Sequence, residues 1–216
     1  MKRFTLWIVF FAVIGLLVWG MVVLVKNSTV AQGTLSKPVY TNDWTRGATT
    51  SKAILVEYSD FQCPACATYE PLVKTMLATF PNDLTLVYRH FPLITIHRNA
   101  DYAAGASEAA GIQGKFWEMH DLLFEKQAEW ENKENALSIF TEYAVSLGLD
   151  REKFESDAIS IQTRQKINDA YRSGTQSGVK GTPTFFLNGK MIQSPRSEEE
   201  FKQIIQNAIA SSTVSQ

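Results

Sequence analysis

The sequence is poor in cysteine and carries almost no net charge. Only two cysteines occur among 216 residues, too few for a scaffold of several disulfides or for a zinc site with four thiolates. The 21 basic and 22 acidic residues leave a formal net charge of −1, so no nucleic-acid partner is expected. At roughly 150 residues per domain, the length predicts one domain with additional segments.

One long hydrophobic run is present, at the N-terminus. Residues 1–26 contain Lys2, Arg3 and Lys26 and no acidic residue, and the 22 residues between Arg3 and Lys26 carry no charge. As a helix this run would be about 33 Å long, which matches a hydrocarbon core of about 30 Å. We therefore expect residues 1–26 to be a single membrane anchor.

A cleaved signal peptide is the alternative, because Lys2 and Arg3 form a basic start and Thr29-Val30-Ala31 resembles a cleavage site. The apolar regions of signal peptides are shorter, however, at about 7 to 15 residues. The basic residues ahead of the run favour a cytoplasmic N-terminus. Residues 27–216 would then face an oxidising compartment, the periplasm or the outer surface, where disulfides persist.

The rest of the chain has the pattern of an α/β domain. Residues 27–50 are rich in Ser, Thr, Gly and Asn and predict a linker, and residues 51–212 predict the folded domain. Ala53–Tyr58 and Leu84–Phe91 are short apolar runs typical of buried strands, with apolar residues at helical spacing between them. Strand, helix and strand in this order predict a parallel pair with a right-handed crossover.

A helical insertion is predicted next, at about residues 95–178, where the apolar spacing is helical throughout. Strand character returns at Thr184–Leu187, and Asn188-Gly189 predicts a two-residue hairpin turn because both turn positions need positive φ. Glu198–Ala210 is expected to close the domain as an amphipathic helix. The predicted order is βαβ, helices, ββα.

The two cysteines form a single CxxC motif, Cys63-Pro64-Ala65-Cys66. A structural disulfide here would close a loop of four residues and stabilise by roughly 2 kcal/mol, against about 4.7 kcal/mol for a 100-residue loop. Half of a zinc site is a second alternative, but no second CxxC exists, and His90, His97 and His120 lack ligand spacing to the pair. We expect no metal and no cofactor.

The position of the motif favours redox catalysis. Cys63 falls where the loop after a strand turns into a helix, and Pro64 suits the first helical position. There, free backbone N–H groups and the positive end of the helix dipole stabilise a thiolate at Cys63. Cys66 lies one turn further on and can resolve a mixed disulfide. A more stable Cys63 thiolate makes the Cys63–Cys66 disulfide a stronger oxidant.

Three segments carry a likeness to a known family: Glu57–Cys66 (EYSDFQCPAC), Gly114–Phe124 (GKFWEMHDLLF) and Gly178–Phe186 (GVKGTPTFF). In this order they resemble the DsbA-type thiol-disulfide oxidoreductases of the thioredoxin superfamily, particularly the membrane-anchored bacterial ones. The resemblance covers about residues 51–210. It implies an α/β thioredoxin fold with an inserted helical subdomain, preceded here by one transmembrane helix.

The resemblance also implies a role for each matching residue. Cys63 corresponds to the exposed nucleophile and Cys66 to the buried resolving thiol. Pro183 corresponds to a cis-proline opposite the motif, and the backbone of Thr182 to the part that pairs with a substrate peptide; without the resemblance, an ordinary turn is the alternative. The expected substrate contacts are Pro64, Ala65, Thr182 and Pro183.

Glu57 lies six residues before Cys63, where related proteins hold an acid that can relay the proton of the buried cysteine. In a buried strand, desolvation would raise its pKa, which suits proton transfer near neutral pH. The alternative is a carboxylate at a solvated strand edge. By contrast, Asp60 is expected to be a loop or N-cap residue, and His97 and His120 are expected to fill surface or packing positions.

Two departures from the family pattern limit what the resemblance implies. Ala65 stands where strongly oxidising members hold a histidine, so one source of thiolate stabilisation is missing. Residues 27–50 are too short for a dimerisation domain, which argues against a dimeric isomerase, and we expect a monomer.

The leading hypothesis is an extracytoplasmic oxidase that introduces disulfides into exported proteins. Its expected partners are unfolded or newly exported proteins with free cysteines, a membrane reoxidase of the DsbB or VKOR kind, and the membrane itself through the N-terminal helix. A reductase or isomerase kept reduced by a membrane electron donor is one alternative. A tethered thiol-based metal or peptide chaperone without turnover is another.

Overall fold

The structure is a computed structural model that describes Trp7, residues 14–16 and residues 33–213, apart from the side chain of Thr213. The chain forms two compact units, residues 1–32 and 33–216. Most of the predicted anchor, residues 1–26, lies outside the described residues, and Trp7 and residues 14–16 are helical. Among the residues described, no helix is both long and apolar enough to cross a membrane.

The second unit is built on a mixed β-sheet. The strands are β1 Trp44–Gly47, β2 Ala53–Ser59, β3 Leu84–His90, β4 Thr184–Leu187 and β5 Lys190–Met191. Their order across the sheet is β1-β3-β2-β4-β5. β2 and β3 are parallel, and the other neighbouring pairs are antiparallel. The parallel pair predicted from the sequence is therefore confirmed.

Helices connect and cover these strands. They are α1 Pro64–Thr79, α2 Ala100–Ile112, α3 Phe116–Glu125, α4 Gln127–Trp130, α5 Ala136–Ser146, α6 Arg151–Ala158, α7 Ile161–Gln176 and α8 Glu198–Thr213. α1 joins β2 to β3, α2 to α7 lie between β3 and β4, and α8 follows β5. The βαβ, helices, ββα order is confirmed, and the inserted helices occupy the predicted stretch.

The hairpin between β4 and β5 follows from its two turn residues. Asn188 has φ 48° and Gly189 has φ 81°, so both lie in the left-handed region that a two-residue turn of this kind requires. Asn188 is further held because its Oδ1 accepts a hydrogen bond from the Ile54 N–H at 2.8 Å. The predicted turn is confirmed at these positions.

Sequence reasoning missed β1. Its four residues, WTRG, show no alternation of apolar side chains, and they lie within residues 27–50, for which the composition predicts a linker. In the structure Trp44 pairs with Tyr88 and Gly47 with Thr85. Gly47 has φ 104°, and a Cβ there would lie 2.5 Å from the Leu84 carbonyl oxygen. Glycine therefore allows the close approach at the end of this edge strand.

Alternating side chains of β2 face two different layers. Leu55 packs in a core formed with α1 and α8, whose buried members include Val73, Met76, Phe201 and Ile205. Val56 and Tyr58 pack on the opposite side with Phe91 and Phe186. The face of Leu55 also carries Glu57 and Ser59 towards the end of β2, where the loop leads into α1 and the cysteines.

Candidate active site

Cys63 is the N-cap residue of α1. Its backbone is extended, with φ −73° and ψ 121°, and Pro64 begins the helix. The backbone N–H groups of Ala65 and Cys66 contact the Cys63 sulfur and help to lower its pKa. The predicted position of Cys63 at a helix N-terminus is confirmed.

The two thiols have opposite acidities. The pKa of Cys63 is lowered from 9.0 to about 5, chiefly because the Cys66 thiol donates a hydrogen bond to the Cys63 thiolate. The pKa of Cys66 is raised well above 9.0, first by burial and then because its hydrogen goes to Cys63 and because Glu57 lies nearby. Both cysteines are free thiols in this structure. One sulfur is therefore a stable thiolate near neutral pH and the other is not.

Access to the pair is narrow. Cys66 is fully buried, as predicted, whereas Cys63 is 7% exposed rather than openly exposed. The neighbouring Pro64 and Ala65 are exposed, and Thr182 and Pro183 are half-buried. A substrate sulfur would therefore reach Cys63 between these two pairs of residues. All four residues remain predicted substrate contacts.

The loop before β4 lies against the nucleophile. The Thr182–Pro183 peptide bond is cis, as the resemblance implies. In its protonated form, the Cys63 thiol donates a hydrogen bond to the Thr182 carbonyl oxygen at 3.3 Å across 119 residues of chain. The Thr182 Oγ1 atom is buried and has no hydrogen-bond partner in the described part of the chain, so its hydroxyl is free to donate to the Cys63 thiolate, and this side chain lowers the pKa of Cys63. The Thr182 hydroxyl therefore stabilises the Cys63 thiolate, and the Thr182 backbone lies next to the same sulfur.

Glu57 lies beneath the pair, at the inner face of β2. It is 2% exposed, so the alternative of a solvated strand edge is wrong. Burial, and after it the charge of Glu70, raises the pKa of Glu57 from 4.5 to about 8. Glu57 is also one of the charges that raise the pKa of Cys66. Its placement suits proton exchange with Cys66, and that role stays a prediction.

The helical insertion holds the loop that carries the cysteines, through residues that sequence reasoning missed. Gln127 in α4 donates hydrogen bonds to the carbonyl oxygens of Phe61 at 2.7 Å and Cys63 at 3.2 Å. Gln62 donates to the Glu131 carbonyl oxygen at 2.7 Å and accepts from the Asn99 N–H at 2.7 Å. Gln62 lies in the polar loop before α1 and Gln127 in a helix, and neither position signals this contact in the sequence.

Asp60 closes the same loop on its other side. Its carboxylate accepts hydrogen bonds from the N–H groups of Gln62 and Leu93, each at 2.8 Å, and contacts His97 Nδ1 at 2.7 Å. Asp60 is thus a loop residue, within the predicted alternatives, and His97 is its partner. Together these contacts fix the backbone that leads into Cys63.

One group of side chains has the composition of a metal site. Glu70, His120 and Asp121 bring possible ligand atoms within 4.8 Å of one another. Arg46 binds Asp121 at 3.0 Å, however, and Lys74 binds Glu70 at 3.2 Å. Because the protein's own cations already face these carboxylates, we assign no metal ion to them.

A reactive thiol at a helix N-terminus, a buried thiol one turn further and a cis-proline beside the first are brought together on a thioredoxin fold. This combination defines a class, the thiol-disulfide oxidoreductases. A family model described as thioredoxin matches residues 40–207. The chain belongs to the thioredoxin family, and within it the fold is of the DsbA type.

Solved structures show the same fold at low sequence identity. Oxidised BdbD from Bacillus subtilis superimposes with a TM-score of 0.72 at 20% identity, covering 83% of this chain and 99% of that one. Alpha-DsbA1 from Wolbachia pipientis gives a TM-score of 0.70 at 20% identity, covering 84% and 97%. The likeness extends over the helical insertion as well as the sheet.

Curated relatives share this domain as a smaller part of their length. The Na(+)/H(+) antiporter NhaA 1 of Salinispora arenicola is 38% identical over 168 residues, which are 78% of this chain and 25% of that protein. NhaA 1 of Mycolicibacterium gilvum is 39% identical over 155 residues, covering 71% and 24%. The chain thus spans about a quarter of the length of the curated relatives it matches.

Proposed function

We propose that this protein is an extracytoplasmic dithiol oxidase that donates the Cys63–Cys66 disulfide to exported proteins. The observation that carries the proposal is the opposed acidity of the two thiols. A pKa of about 5 for Cys63 favours the reduced form, because one sulfur stays ionised at neutral pH. A pair whose reduced form is stabilised is oxidising as a disulfide.

The reaction runs in two displacement steps. A substrate thiolate attacks the Cys63 sulfur of the disulfide, the Cys63–Cys66 bond breaks, and Cys66 leaves as a thiolate. Because the pKa of Cys66 is raised by burial, this thiolate takes up a proton, which Glu57 can supply. A second substrate thiolate then attacks the substrate sulfur of the mixed disulfide and releases Cys63 as a thiolate. The substrate gains a disulfide and loses two electrons to the pair, which ends as the Cys63 thiolate and the Cys66 thiol, and the second proton goes to solvent.

The geometry supports this order of attack. Cys63 has the exposed edge and the low pKa, so it both receives the first attack and leaves readily in the second step. Cys66 is fully buried, and a substrate sulfur does not reach it. The half-buried Thr182 and Pro183 lie beside Cys63, and they are the proposed docking place for the substrate backbone.

The proposed location is the outer face of the cell membrane, with residues 1–26 as an anchor and the N-terminus in the cytoplasm. The uncharged run between Arg3 and Lys26 supports it. The proposed substrates are unfolded or newly exported proteins with free cysteines, and a membrane reoxidase of the DsbB or VKOR kind would restore the disulfide. A monomer is proposed.

Two experiments test the direction. Oxidised protein should convert a reduced, unfolded substrate to its disulfide form, and Cys63→Ser should abolish this. In cells, alkylation of free thiols should find the pair mostly as a disulfide. A pair found mostly as dithiol would instead support a reductase or isomerase. Ala65, which stands in place of a histidine, favours that alternative. Tight metal binding without thiol turnover would support the chaperone alternative.

A further inference from the structure

Several buried polar atoms near Cys66 and the adjoining Tyr88 ring have no hydrogen bond of good geometry, although Ser59 interacts with Cys66, Glu57 and Tyr88. Among the described residues they include Glu57 Oε2, Ser59 Oγ, Tyr88 OH and His120 Nε2. Glu57 and Tyr88 are directly paired across the parallel β2–β3 ladder, and Ser59 lies two residues along the same face. Buried polar groups without partners are costly and normally bind one another or internal water. Their concentration at one place indicates a function.

His120 is the titratable member of this group that the redox steps leave unused. It is 1% exposed and its ring lies 4.9 Å from that of Tyr88 at a right angle. Other rings enclose it, namely those of Phe61, Phe116, Trp117 and Phe124. Ring packing alone would suit a phenylalanine equally well, so it does not explain an imidazole here.

The other nitrogen of His120 faces outwards, to charged groups. His120 Nδ1 lies 3.0 Å from Asp121 Oδ1 and 3.9 Å from Glu70 Oε1. Arg46 and His120 hold the pKa of Asp121 well below its usual range, so Asp121 is a carboxylate and Nδ1 carries the hydrogen of this bond. Nε2 is then the free acceptor, and it lies on the buried side. The side chain of Asp121 is 30% exposed, which connects the pair to solvent.

We propose that His120, oriented by Asp121, exchanges protons between solvent and the buried Glu57–Cys66 pair. In the direction of disulfide formation, Cys63 is held in a mixed disulfide with an oxidant; the Cys66 thiol gives its proton to Glu57 as its sulfur attacks the Cys63 sulfur, the mixed disulfide breaks, and the oxidant's sulfur leaves as a thiolate. In one concerted step, protons then shift from Glu57 across the Tyr88 and Ser59 hydroxyls, or water bound to them, to Nε2, while Nδ1 releases its own proton towards Asp121 and solvent. The reverse sequence supplies the proton that Cys66 needs when a substrate opens the disulfide.

The charges around this path are those of every element packed on it. They are Glu57 on β2, Tyr88 and His90 on β3, Glu108 on α2, Asp60 in the loop before α1, Cys66, Glu70 and Lys74 on α1, Arg46 on β1, and Asp121 beside His120. Burial raises the pKa of Glu57 to about 8, which lets that carboxyl both give and take a proton near neutral pH. The inference rests on the proposed function, because it uses the same cysteine pair.

Single-turnover oxidation of the full-length reduced protein by the small aromatic disulfide DTNB tests the proposal. Attack by Cys63 releases a first thionitrobenzoate, and attack by Cys66 on the resulting mixed disulfide releases a second. We expect His120→Asn, which keeps a donor towards Asp121 but does not titrate, to leave the first phase unchanged. The second phase should slow by about tenfold or more and lose part of its pH dependence.

His90→Gln is the matched control. His90 is also buried, packs beside Tyr88 on the same face of β3 and contacts Glu108 at 3.0 Å. It carries no proton in the proposed path, so the second phase of His90→Gln should stay within about twofold of the native rate. A folded His120→Asn variant whose second phase matches the native rate and pH profile would overturn the proposal. Absence of both phases in the native protein would instead refute the proposed redox function.

A measurement on the native protein covers the case in which His120→Asn does not fold. The rate of the second phase is followed in mixtures of light and heavy water. Transfer of several protons in one step predicts a curved dependence on the deuterium fraction. A linear dependence, which indicates a single transferred proton, would overturn the relay.

Discussion

At the residue scale, the two thiols differ because one lies at the end of a helix and the other inside it. Cys63 receives hydrogen bonds from backbone N–H groups and from the Cys66 thiol, all of which favour its thiolate. Cys66 is buried away from water and lies near the Glu57 carboxyl, and both disfavour a charge on its sulfur. A single helical turn therefore separates a good leaving group from a poor one.

The Thr182 hydroxyl gives a first prediction. It is buried next to Cys63 and lowers the pKa of that thiol, so Thr182→Val should raise the pKa of Cys63 by about one unit. The ultraviolet absorbance of the thiolate, followed against pH, measures this. Thr184→Val is the control, because the Thr184 hydroxyl donates to the Gly181 carbonyl at 2.7 Å instead. Equal shifts in both variants would contradict the assignment.

Glu57 gives a second prediction, with a defined sign. Its pKa is about 8 in the folded protein against 4.5 for an ordinary glutamate, so the folded state holds a proton that the unfolded chain has lost. The stability that this proton provides is complete below about pH 4.5 and is lost as the pH rises through about 8. Glu57→Gln should therefore be more stable than the native protein at about pH 9, by roughly 2–4 kcal/mol.

Urea unfolding of the reduced proteins at several pH values measures this difference. The gain should shrink steadily as the pH falls towards about 5. The exposed Glu118 serves as the control, and Glu118→Gln should show no such gain at high pH. A Glu57→Gln variant that is less stable than the native protein at all pH values would show that the carboxylate is stabilised and not strained by its surroundings.

At the scale of elements, the junctions of the fold follow from short local signals. Pro64 at the first position of α1 and Asn188-Gly189 in the β4–β5 turn were both readable in the sequence, because each fixes a backbone conformation by its own chemistry. Strand β1 and the contacts of Gln127 could not be predicted from the sequence. β1 is held by pairing with β3, and Gln127 acts on a loop 64 residues away, so their signals exist only in the folded chain.

Helix α4 yields the third prediction. Gln127 satisfies two buried carbonyl oxygens of the loop that carries Cys63. Gln127→Leu would leave them without this donor and should cost about 1–3 kcal/mol of unfolding free energy. Because the loop positions the N-cap, the pKa of Cys63 should rise as well. Gln203→Leu, the same change on the exposed face of α8, should change neither the unfolding free energy nor the pKa of Cys63. A loss of stability with an unchanged thiol pKa would limit Gln127 to a structural role.

At the scale of the whole molecule, sequence and structure agree on the order of elements but not on where the fold begins. The predicted linker, residues 27–50, contains β1 and segments that bind the domain. Ser36 N–H donates to Ser177 Oγ at 2.9 Å, and Arg89 donates to Asp43 at 2.8 Å. The composition of these polar residues is that of a linker. Their partners lie far away in the chain, so no local pattern shows that they belong to the fold.

The separation into two units gives the fourth prediction. Residues 1–32 form a unit distinct from residues 33–216, so a chain lacking residues 1–32 should fold and keep both phases of the DTNB reaction. If residues 1–26 are the anchor, the full-length protein should sediment with membranes and the shortened chain should not. Fractionation followed by the kinetic assay measures both properties. Loss of thiol reactivity on shortening would contradict the independence of the catalytic unit.

The central claim is that the reduced form of the Cys63–Cys66 pair is stabilised, which makes its disulfide an oxidant. Equilibration of the protein with defined glutathione buffers measures the reduction potential directly. The account predicts a value well above that of a reductase, towards about −120 mV, with Ala65 keeping it below that extreme. A potential near −270 mV, typical of thioredoxin, would contradict it.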